Sequence, residues 1–285
     1  MAPKQTPGTS DAKLTRAERT AQRQEKARIL REQEAKRRKR NRLIVILACV
    51  VVLALVVFIA VKIVTTSHAV AEVKNVTPTY GIAVTDKGEA TASEKAGTPT
   101  IRIYEDPTCP HCVEFHTAAR EALSQHIAAG DINVVYQPAA IGPIGPQYYD
   151  QGNWGVTAEF YVATHAPAQF EAFHDALMDG ESGLFALISK AANGGGAVPG
   201  KDQIKTYAEQ AGVPADVVAG MVKEFDSAPW NNYLKNVLQG FRDAGVTGTP
   251  TVMLNGTTVE SETYGGTDSA AIATWLDQVA AGKVK

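Results

Sequence analysis

The sequence has few cysteines, and their spacing limits what they can do. Its 285 residues include three, Cys49, Cys109 and Cys112, and only the last two stand close together. A stabilising disulfide framework needs several cysteines at wide spacings, because a cross-link acts mainly by closing a long loop of the unfolded chain. A bond between Cys109 and Cys112 closes almost no loop. The pair, in the motif CPHC, is therefore predicted to react rather than to brace the fold.

A second pair of cysteines is also lacking. A closed structural zinc site needs four ligands, usually supplied as two separated pairs. His111 and His116 would have to supply the remaining ligands from the same short stretch as the two cysteines. The sequence therefore predicts no metal site, and zinc binding is kept only as the alternative interpretation of an isolated CxxC.

Charge is absent from one long stretch, residues 43–61, LIVILACVVVLALVVFIAV. Nineteen helical residues at about 1.5 Å each extend roughly 29 Å, which matches the hydrocarbon core of a bilayer. A transmembrane helix is therefore predicted over residues 43–64. Cys49 lies inside this stretch without a polar neighbour and is predicted to fill space among apolar groups.

The charges on either side of this stretch are strongly unequal. Residues 1–42 carry fourteen Lys and Arg against five Asp and Glu, whereas residues 43–285 carry fourteen against twenty-five. Because excess Lys and Arg stay on the cytoplasmic side, residues 1–42 are predicted to be a basic cytoplasmic tail of a single-pass cell-membrane protein. A signal peptide cleaved near residues 69–71 is the alternative, but the long basic leader argues against it. The tail is expected to touch anionic lipid rather than nucleic acid.

Beyond the apolar stretch, strand-like and helix-like segments alternate. Residues 65–98 are polar and irregular, and they are predicted to be a linker with a possible first strand at 79–84. Residues 99–140 contain a β run in PTIRIYED, the CPHC motif, apolar residues at helical spacing up to Gly130, and a second strand in INVVYQPA. The two cysteines are therefore predicted to lie where a strand turns into a helix.

The remaining sequence divides into a helical part and a mixed part. Residues 141–245 hold helical segments separated by Gly and Pro, which predict a helical insertion. Residues 246–285 return to a β pattern, with a hairpin around Asn255-Gly256 and a last helix over residues 269–281. Together the segments predict an α/β architecture, one sheet with helices on its faces.

A CxxC motif at a helix start has a definite chemistry. Unpaired backbone N–H groups and the helix dipole favour negative charge there, so the pKa of the Cys109 thiol is predicted to be lowered. Pro110 then occupies the first helical position, which tolerates proline best. His111, when protonated, adds a cation beside the sulfur, and Cys112, one turn further on, is shielded. Cys109 is therefore predicted to exchange with partner proteins and Cys112 to resolve the mixed disulfide.

The order of these motifs resembles a known family. A strand, CPHC in the setting YEDPTCPHCVEF, a helical insertion and then GVTGTPTVMLNG are similar to the DsbA family of thioredoxin-like proteins, and to its membrane-anchored actinobacterial members. The resemblance covers about residues 79–283 and implies a thioredoxin-like fold in two parts, 99–140 and 246–285, on either side of the insertion. It also implies that Thr249 and a cis-Pro250 bind the substrate beside the cysteines.

The same resemblance implies a function, with alternatives. An extracytoplasmic thiol:disulfide oxidoreductase would introduce disulfide bonds into reduced exported proteins, with no cofactor, and a membrane reoxidase of the DsbB or VKOR type would reoxidise it. A reductase or isomerase of the same fold stays open, as does a non-redox extracytoplasmic binding domain. One departure concerns the proton route: Ile103 stands where relatives often carry a buried acid, and Glu105 and Asp106 are predicted to lie on the turn.

Overall fold

The structure is a computed structural model that describes residues 16–142 and 144–284, with the backbone alone for residues 16–19 and 63–68. The first fifteen residues of the predicted basic tail and the last residue of the predicted second thioredoxin-like part lie outside the described residues. The chain forms two units, one up to residue 65 and one from residue 66 onwards.

A single long helix makes up the first unit. Helix α1, Arg16–His68, contains 53 residues and includes the whole predicted transmembrane segment. Its portion Thr20–Lys62 is, among the described residues, the one stretch of helix long and apolar enough to cross a membrane. None of the apolar side chains in that portion is buried by protein, as a segment surrounded by lipid requires.

The second unit is built on one six-stranded sheet. Its strands are β1 (Ile82–Val84), β2 (Ala90–Thr91), β3 (Thr100–Glu105), β4 (Asn133–Pro138), β5 (Thr251–Leu254) and β6 (Thr257–Val259). They lie in the order β2-β1-β4-β3-β5-β6. Among the strands of the described residues, only β3 and β4 pair in parallel, which requires a crossover between them. Helix α2, Pro110–Ala129, is that crossover, and it ends at Gly130, whose φ of 64° suits a glycine.

Most of the other helices lie between β4 and β5. The insertion contains α3 (Tyr149–His165), α4 (Phe170–Leu177), α5 (Leu184–Ala192), α6 (Lys201–Gln210), α7 (Ala215–Glu224) and α8 (Ala228–Asp243). The short α9 (Ser261–Tyr264) and α10 (Ser269–Ala280) follow the sheet. In the predicted hairpin, Asn255 and Gly256 both have positive φ, as a two-residue turn between β5 and β6 requires. The predicted α/β architecture with a helical insertion is confirmed.

The segment after α1 differs from the predicted linker. The side-chain amide of Asn232 donates to the carbonyl oxygen of Ala69 at 2.9 Å, and that of Asn75 donates to Ala163 at 2.8 Å. Ala71 donates its N–H to the carbonyl oxygen of Pro229 at 3.1 Å. The segment therefore packs on α3 and α8, because its polar groups find partners in helices far away in the sequence.

Candidate active site at the CPHC motif

The two cysteines lie at the predicted junction of strand and helix. Strand β3 ends at Glu105, three residues form a turn, and Cys109 is the N-cap of α2 in an extended conformation. Cys109 donates its N–H to the carbonyl oxygen of Asp106 at 2.9 Å, which closes the turn. Pro110 occupies the first helical position, where its missing N–H leaves no hydrogen bond unmade.

The buried side chain of Asp106 fixes this turn. Its carboxylate accepts hydrogen bonds from the N–H and hydroxyl of Thr108 at 2.7 and 2.6 Å, and from the N–H groups of Ile141 and Gly142 at 2.6 and 3.1 Å. Burial raises the pKa of this carboxyl, and the hydrogen bonds oppose that shift. One side chain therefore ties the cysteine turn to the segment that follows β4.

Helix α3 approaches the turn closely because it presents glycines to it. A Cβ on Gly155 would lie 3.1 Å from Pro107 Cγ, and a Cβ on Gly152 would lie 3.5 Å from Thr108 Cγ2. The first distance is shorter than an ordinary contact and the second is an ordinary van der Waals contact, so a side chain at Gly155 would crowd the turn. The helical insertion is therefore in direct contact with the residues that position Cys109.

The loop before β5 covers the first cysteine. The Sγ of Cys109 lies 3.4 Å from the carbonyl oxygen of Thr249, although 140 positions separate the two residues. The Thr249–Pro250 bond is cis, as predicted. Cys109 is only 2% exposed, so a partner must reach its sulfur along this loop and the first turn of α2. The structure thus brings Cys109, Cys112, Pro110, Thr249 and Pro250 together.

The two thiols differ in acidity. A hydrogen bond from Cys112 lowers the pKa of Cys109 to about 6. Burial opposes this lowering. The Thr249 side chain and the N–H groups of Cys112 and His111 lower the pKa further. Burial and the neighbouring Cys109 sulfur raise the pKa of Cys112. At neutral pH Cys109 is therefore the thiolate and Cys112 the thiol.

His111 lies beside the pair but points into solvent. Its side chain is 74% exposed, and its Nδ1 lies 3.0 Å from Oε2 of Glu114, one turn along α2. The hydrogen bond and the charge of Glu114 raise the pKa of His111. The imidazolium favours the Cys109 thiolate, but water screens the interaction.

A groove runs along α2 next to the cysteines. It encloses about 550 Å³, and its apolar wall includes Val113 and Phe185. Its lining residues carry only two charges, both acidic, on Glu114 and Glu181. The groove begins at Pro110, so a polypeptide bound in it would lie within reach of the Cys109 sulfur.

Beneath the cysteine turn lies a buried charged cluster, Glu105, Glu159 and His174, that the sequence did not reveal. Its ligand atoms lie within 4.8 Å of one another, and among the described residues no other group of this kind has the spacing of a metal site. Nδ1 of His174 is 2.7 Å from Glu159 Oε1, and Nε2 is 3.5 Å from Glu105 Oε1. Both ring nitrogens thus face a carboxylate, which is the geometry of an ion-paired imidazolium.

This cluster corrects one sequence-based expectation. Glu105 is not on the turn but is the last residue of β3, and it is 1% exposed. His174 is fully buried between two acids. The three residues come from β3, α3 and α4, at separations that no local motif spans, so only knowledge of which elements touch would have found them.

With this geometry established, comparisons with known proteins identify the family. A family model described as thioredoxin matches residues 86–272, about two thirds of the chain. The chain belongs to the thioredoxin family. A comparison with curated proteins finds no match.

Solved structures place this thioredoxin-family chain among DsbA-like folds. MdbA, a thiol-disulfide oxidoreductase from Actinomyces oris, is 22% identical with a TM-score of 0.53, over 68% of this chain and 85% of that one. Reduced DsbA from Mycobacterium tuberculosis is 22% identical with a TM-score of 0.50, over 72% and 99%. Oxidised BdbD from Bacillus subtilis is 13% identical with a TM-score of 0.52, over 75% and 100%. The predicted DsbA-like fold is confirmed.

Proposed function

We propose that the protein is an extracytoplasmic thiol:disulfide oxidoreductase that introduces disulfide bonds into exported proteins through Cys109 and Cys112. The observation that carries the proposal is the opposite acidity of the two thiols at the start of α2. A thiolate is the attacking and the leaving form of a cysteine, so Cys109 is suited to both roles.

The reaction needs only these two sulfurs and the client. A client thiolate attacks the Sγ of Cys109 in the oxidised protein, the bond to Cys112 breaks, and its electron pair moves to Cys112. A second client thiolate then attacks the client sulfur of the mixed disulfide. The client leaves with a disulfide, Cys109 leaves as a thiolate, and two electrons have passed to the protein. No bound cofactor is required.

The client is expected to dock beside Thr249 and along the groove of α2. The backbone carbonyl of Thr249 lies at the Cys109 sulfur, where it can accept a hydrogen bond from an extended client segment. The apolar wall at Val113 and Phe185 suits an apolar client side chain. His111 and Pro110 shape the first turn of α2 that such a segment would contact.

Anchoring by α1 is proposed to hold the redox domain at the outer face of the cell membrane, with the basic tail inside. The cluster KRRKRNR directly precedes the apolar stretch, which supports this orientation. By resemblance to the DsbA family, a membrane reoxidase of the DsbB or VKOR type would take the electrons from Cys109 and Cys112. A reductase or isomerase activity is the alternative, since the direction of electron flow depends on the relative stability of the two redox forms.

The direct test is disulfide transfer to a reduced, unfolded model protein that contains one pair of cysteines. The oxidised full-length protein in detergent should form the client disulfide stoichiometrically while its own cysteines become reduced. Cys109→Ser should abolish the reaction. Failure of the oxidised wild-type protein to oxidise any such client would refute the proposed function.

A further inference from the structure

A methionine from the helical insertion packs with the two cysteines. Met178 is 1% exposed and forms a small buried cluster with Cys109, Cys112 and Val113, which is separate from the main hydrophobic core. The partly buried side chain of Phe185 packs against the same cluster. The two cysteines and Val113 come from one short segment. Among the described residues, Met178 is therefore the one buried side chain of this cluster that another part of the fold supplies.

The segment between α4 and α5 holds Met178 in place. Met178 is the C-cap of α4, and its N–H donates to the carbonyl oxygen of His174 at 2.9 Å. In the turn that follows, the Asp179 carboxylate accepts hydrogen bonds from the N–H and hydroxyl of Ser182 at 2.8 and 2.9 Å. The hydroxyl of Tyr207 donates to the carbonyl oxygen of Ser182 at 2.8 Å, which ties the turn to α6. The hydrogen bonds on both sides of Met178 fix its backbone.

The same turn approaches α2 closely. A Cβ on Gly180 would lie 3.0 Å from Oγ1 of Thr117 in α2, so the missing side chain allows the close approach. Gly180 and Phe185 also line the groove along α2. The turn therefore contributes both to the groove beside the cysteines and, through Met178, to the buried cluster that contains them.

The acidity of the Cys112 thiol depends on these apolar surroundings. Burial is the largest cause that raises the pKa of Cys112, because a thiolate among carbon and sulfur atoms has no water around it. The titratable groups that face Cys112 are Cys109 and Tyr264, and a negative charge on either disfavours a second one on Cys112. The Thr249 side chain and the N–H of Asp106 oppose the shift and do not outweigh it.

We propose that Met178 is a positioning residue that excludes water from Cys112 and thereby prolongs the mixed disulfide between Cys109 and a client. This inference rests on the proposed function, because the mixed disulfide is an intermediate of that reaction. A long-lived mixed disulfide gives a client time to bring its second cysteine to the bond. The insertion thus acts on the chemistry of the cysteines through one side chain.

The step that Met178 slows is the escape of a client from the mixed disulfide. Cys112 loses its proton to solvent, and its thiolate attacks Sγ of Cys109. The bond from Cys109 to the client sulfur breaks, and its electron pair leaves with the client. The client sulfur takes a proton from water, so the client is released as a thiol while the protein recovers its disulfide. Water at Cys112 would favour the thiolate and speed this escape.

The test measures escape alone, with full-length protein in detergent that carries Cys49→Ala in every sample. A fluorescent peptide with one cysteine, activated as its pyridyl disulfide, reacts with the reduced protein, and the absorbance of pyridinethione records attack by Cys109. Peptide release then records attack by Cys112, because the peptide has no second thiol. Met178→Ala should move the pH profile of release acidic by about one unit, which speeds release about tenfold at neutral pH. The first step should keep its wild-type rate.

Three further variants control for volume, polarity and stability. Met178→Leu keeps an apolar side chain of similar volume and should release the peptide at close to the wild-type rate. Met178→Gln keeps the volume but brings an amide N–H to the thiol, so it should speed release even where Met178→Ala does not fold. Met221→Ala removes an equally buried methionine from α7, outside the cysteine cluster, and should leave both steps unchanged.

The outcomes separate this inference from the proposed function. Release by Met178→Ala and Met178→Gln at the wild-type rate or more slowly, with the first step intact, would overturn the inference. Release that speeds equally at all pH values would also overturn it, because it would reflect looser packing and not a changed acidity of Cys112. Failure of the wild-type protein to form the mixed disulfide would instead refute the proposed function.

Discussion

The lowered pKa of Cys109 predicts that the reduced protein gains stability with rising pH and the oxidised protein does not. Cys109 has a pKa of about 6 in the folded protein against an ordinary value of 9.0. A thiol whose pKa is lowered on folding contributes stability that is complete above the unfolded value and is lost as the pH falls through the folded value. The predicted window therefore runs from about pH 6 to pH 9.

The magnitude follows from the same shift. Three pKa units correspond to about 4 kcal/mol at the top of the window, and linkage gives about 1.4 kcal/mol at pH 7. Screening by water at the mouth of the site makes these upper limits. The pKa of Cys112 is raised above its ordinary value of 9.0. Its contribution to the free energy of unfolding is therefore constant below pH 9.0 and does not change between about pH 6 and pH 9. In redox terms, about 4 kcal/mol makes the pair about 90 mV more oxidising.

Urea unfolding of both redox forms between about pH 5 and pH 8.5 measures the pH-dependent stabilisation of the reduced form directly. The free energy of unfolding of the reduced form should rise with pH relative to that of the oxidised form, in which Cys109 carries no charge. Cys109→Ser cannot form the disulfide, and its free energy of unfolding should follow the pH profile of the oxidised form. Parallel pH profiles for the two forms would refute the argument, and a clearly more stable oxidised form at neutral pH would favour the reductase alternative.

Four further outcomes are expected. His111→Ser removes a cation beside Cys109, so the pKa of Cys109 should rise, as measured by thiolate absorbance against pH; an unchanged titration would exclude a role for the imidazole. Cys112→Ala should trap mixed disulfides with clients that appear on non-reducing gels, and rapid client release by this variant would contradict its resolving role. Glu181→Lys should slow oxidation of client peptides with a basic residue beside the cysteine and speed that of acidic ones, whereas equal rates would argue against docking in the α2 groove. Protease added to intact spheroplasts should digest the domain after α1, and its protection would reverse the proposed orientation.

Local sequence patterns predicted the parts of the site that one short segment builds. The N-cap position of Cys109 and the Pro110 helix start depend on four adjacent residues, and the uncharged stretch in α1 depends on composition alone. Strand β2 was not predicted, because two residues show no alternation. Its pairing with β1 becomes apparent only in the assembled sheet.

Contacts between segments that are far apart in the sequence could be predicted only where the resemblance to a known family implied them. The position of Thr249 over Cys109 was expected from the DsbA family and not from spacing. The carboxyl of Glu105 gave no signal, because an acid at the end of a strand usually turns to solvent. Its partner His174 is 69 positions away in the sequence, and single-sequence patterns carry no information on such pairs.

The pKa of the buried acid Glu105 depends on whether Cys109 is charged, so it changes during the redox cycle. A thiolate at Cys109 raises the pKa of Glu105, so in the reduced protein Glu105 holds its proton more tightly. When Cys109 enters a mixed disulfide, that negative charge disappears and the pKa of Glu105 falls. The coupling is reciprocal, so ionised Glu105 raises the pKa of Cys109. A protonated Glu105 therefore favours the Cys109 thiolate, which is the form that attacks an oxidant.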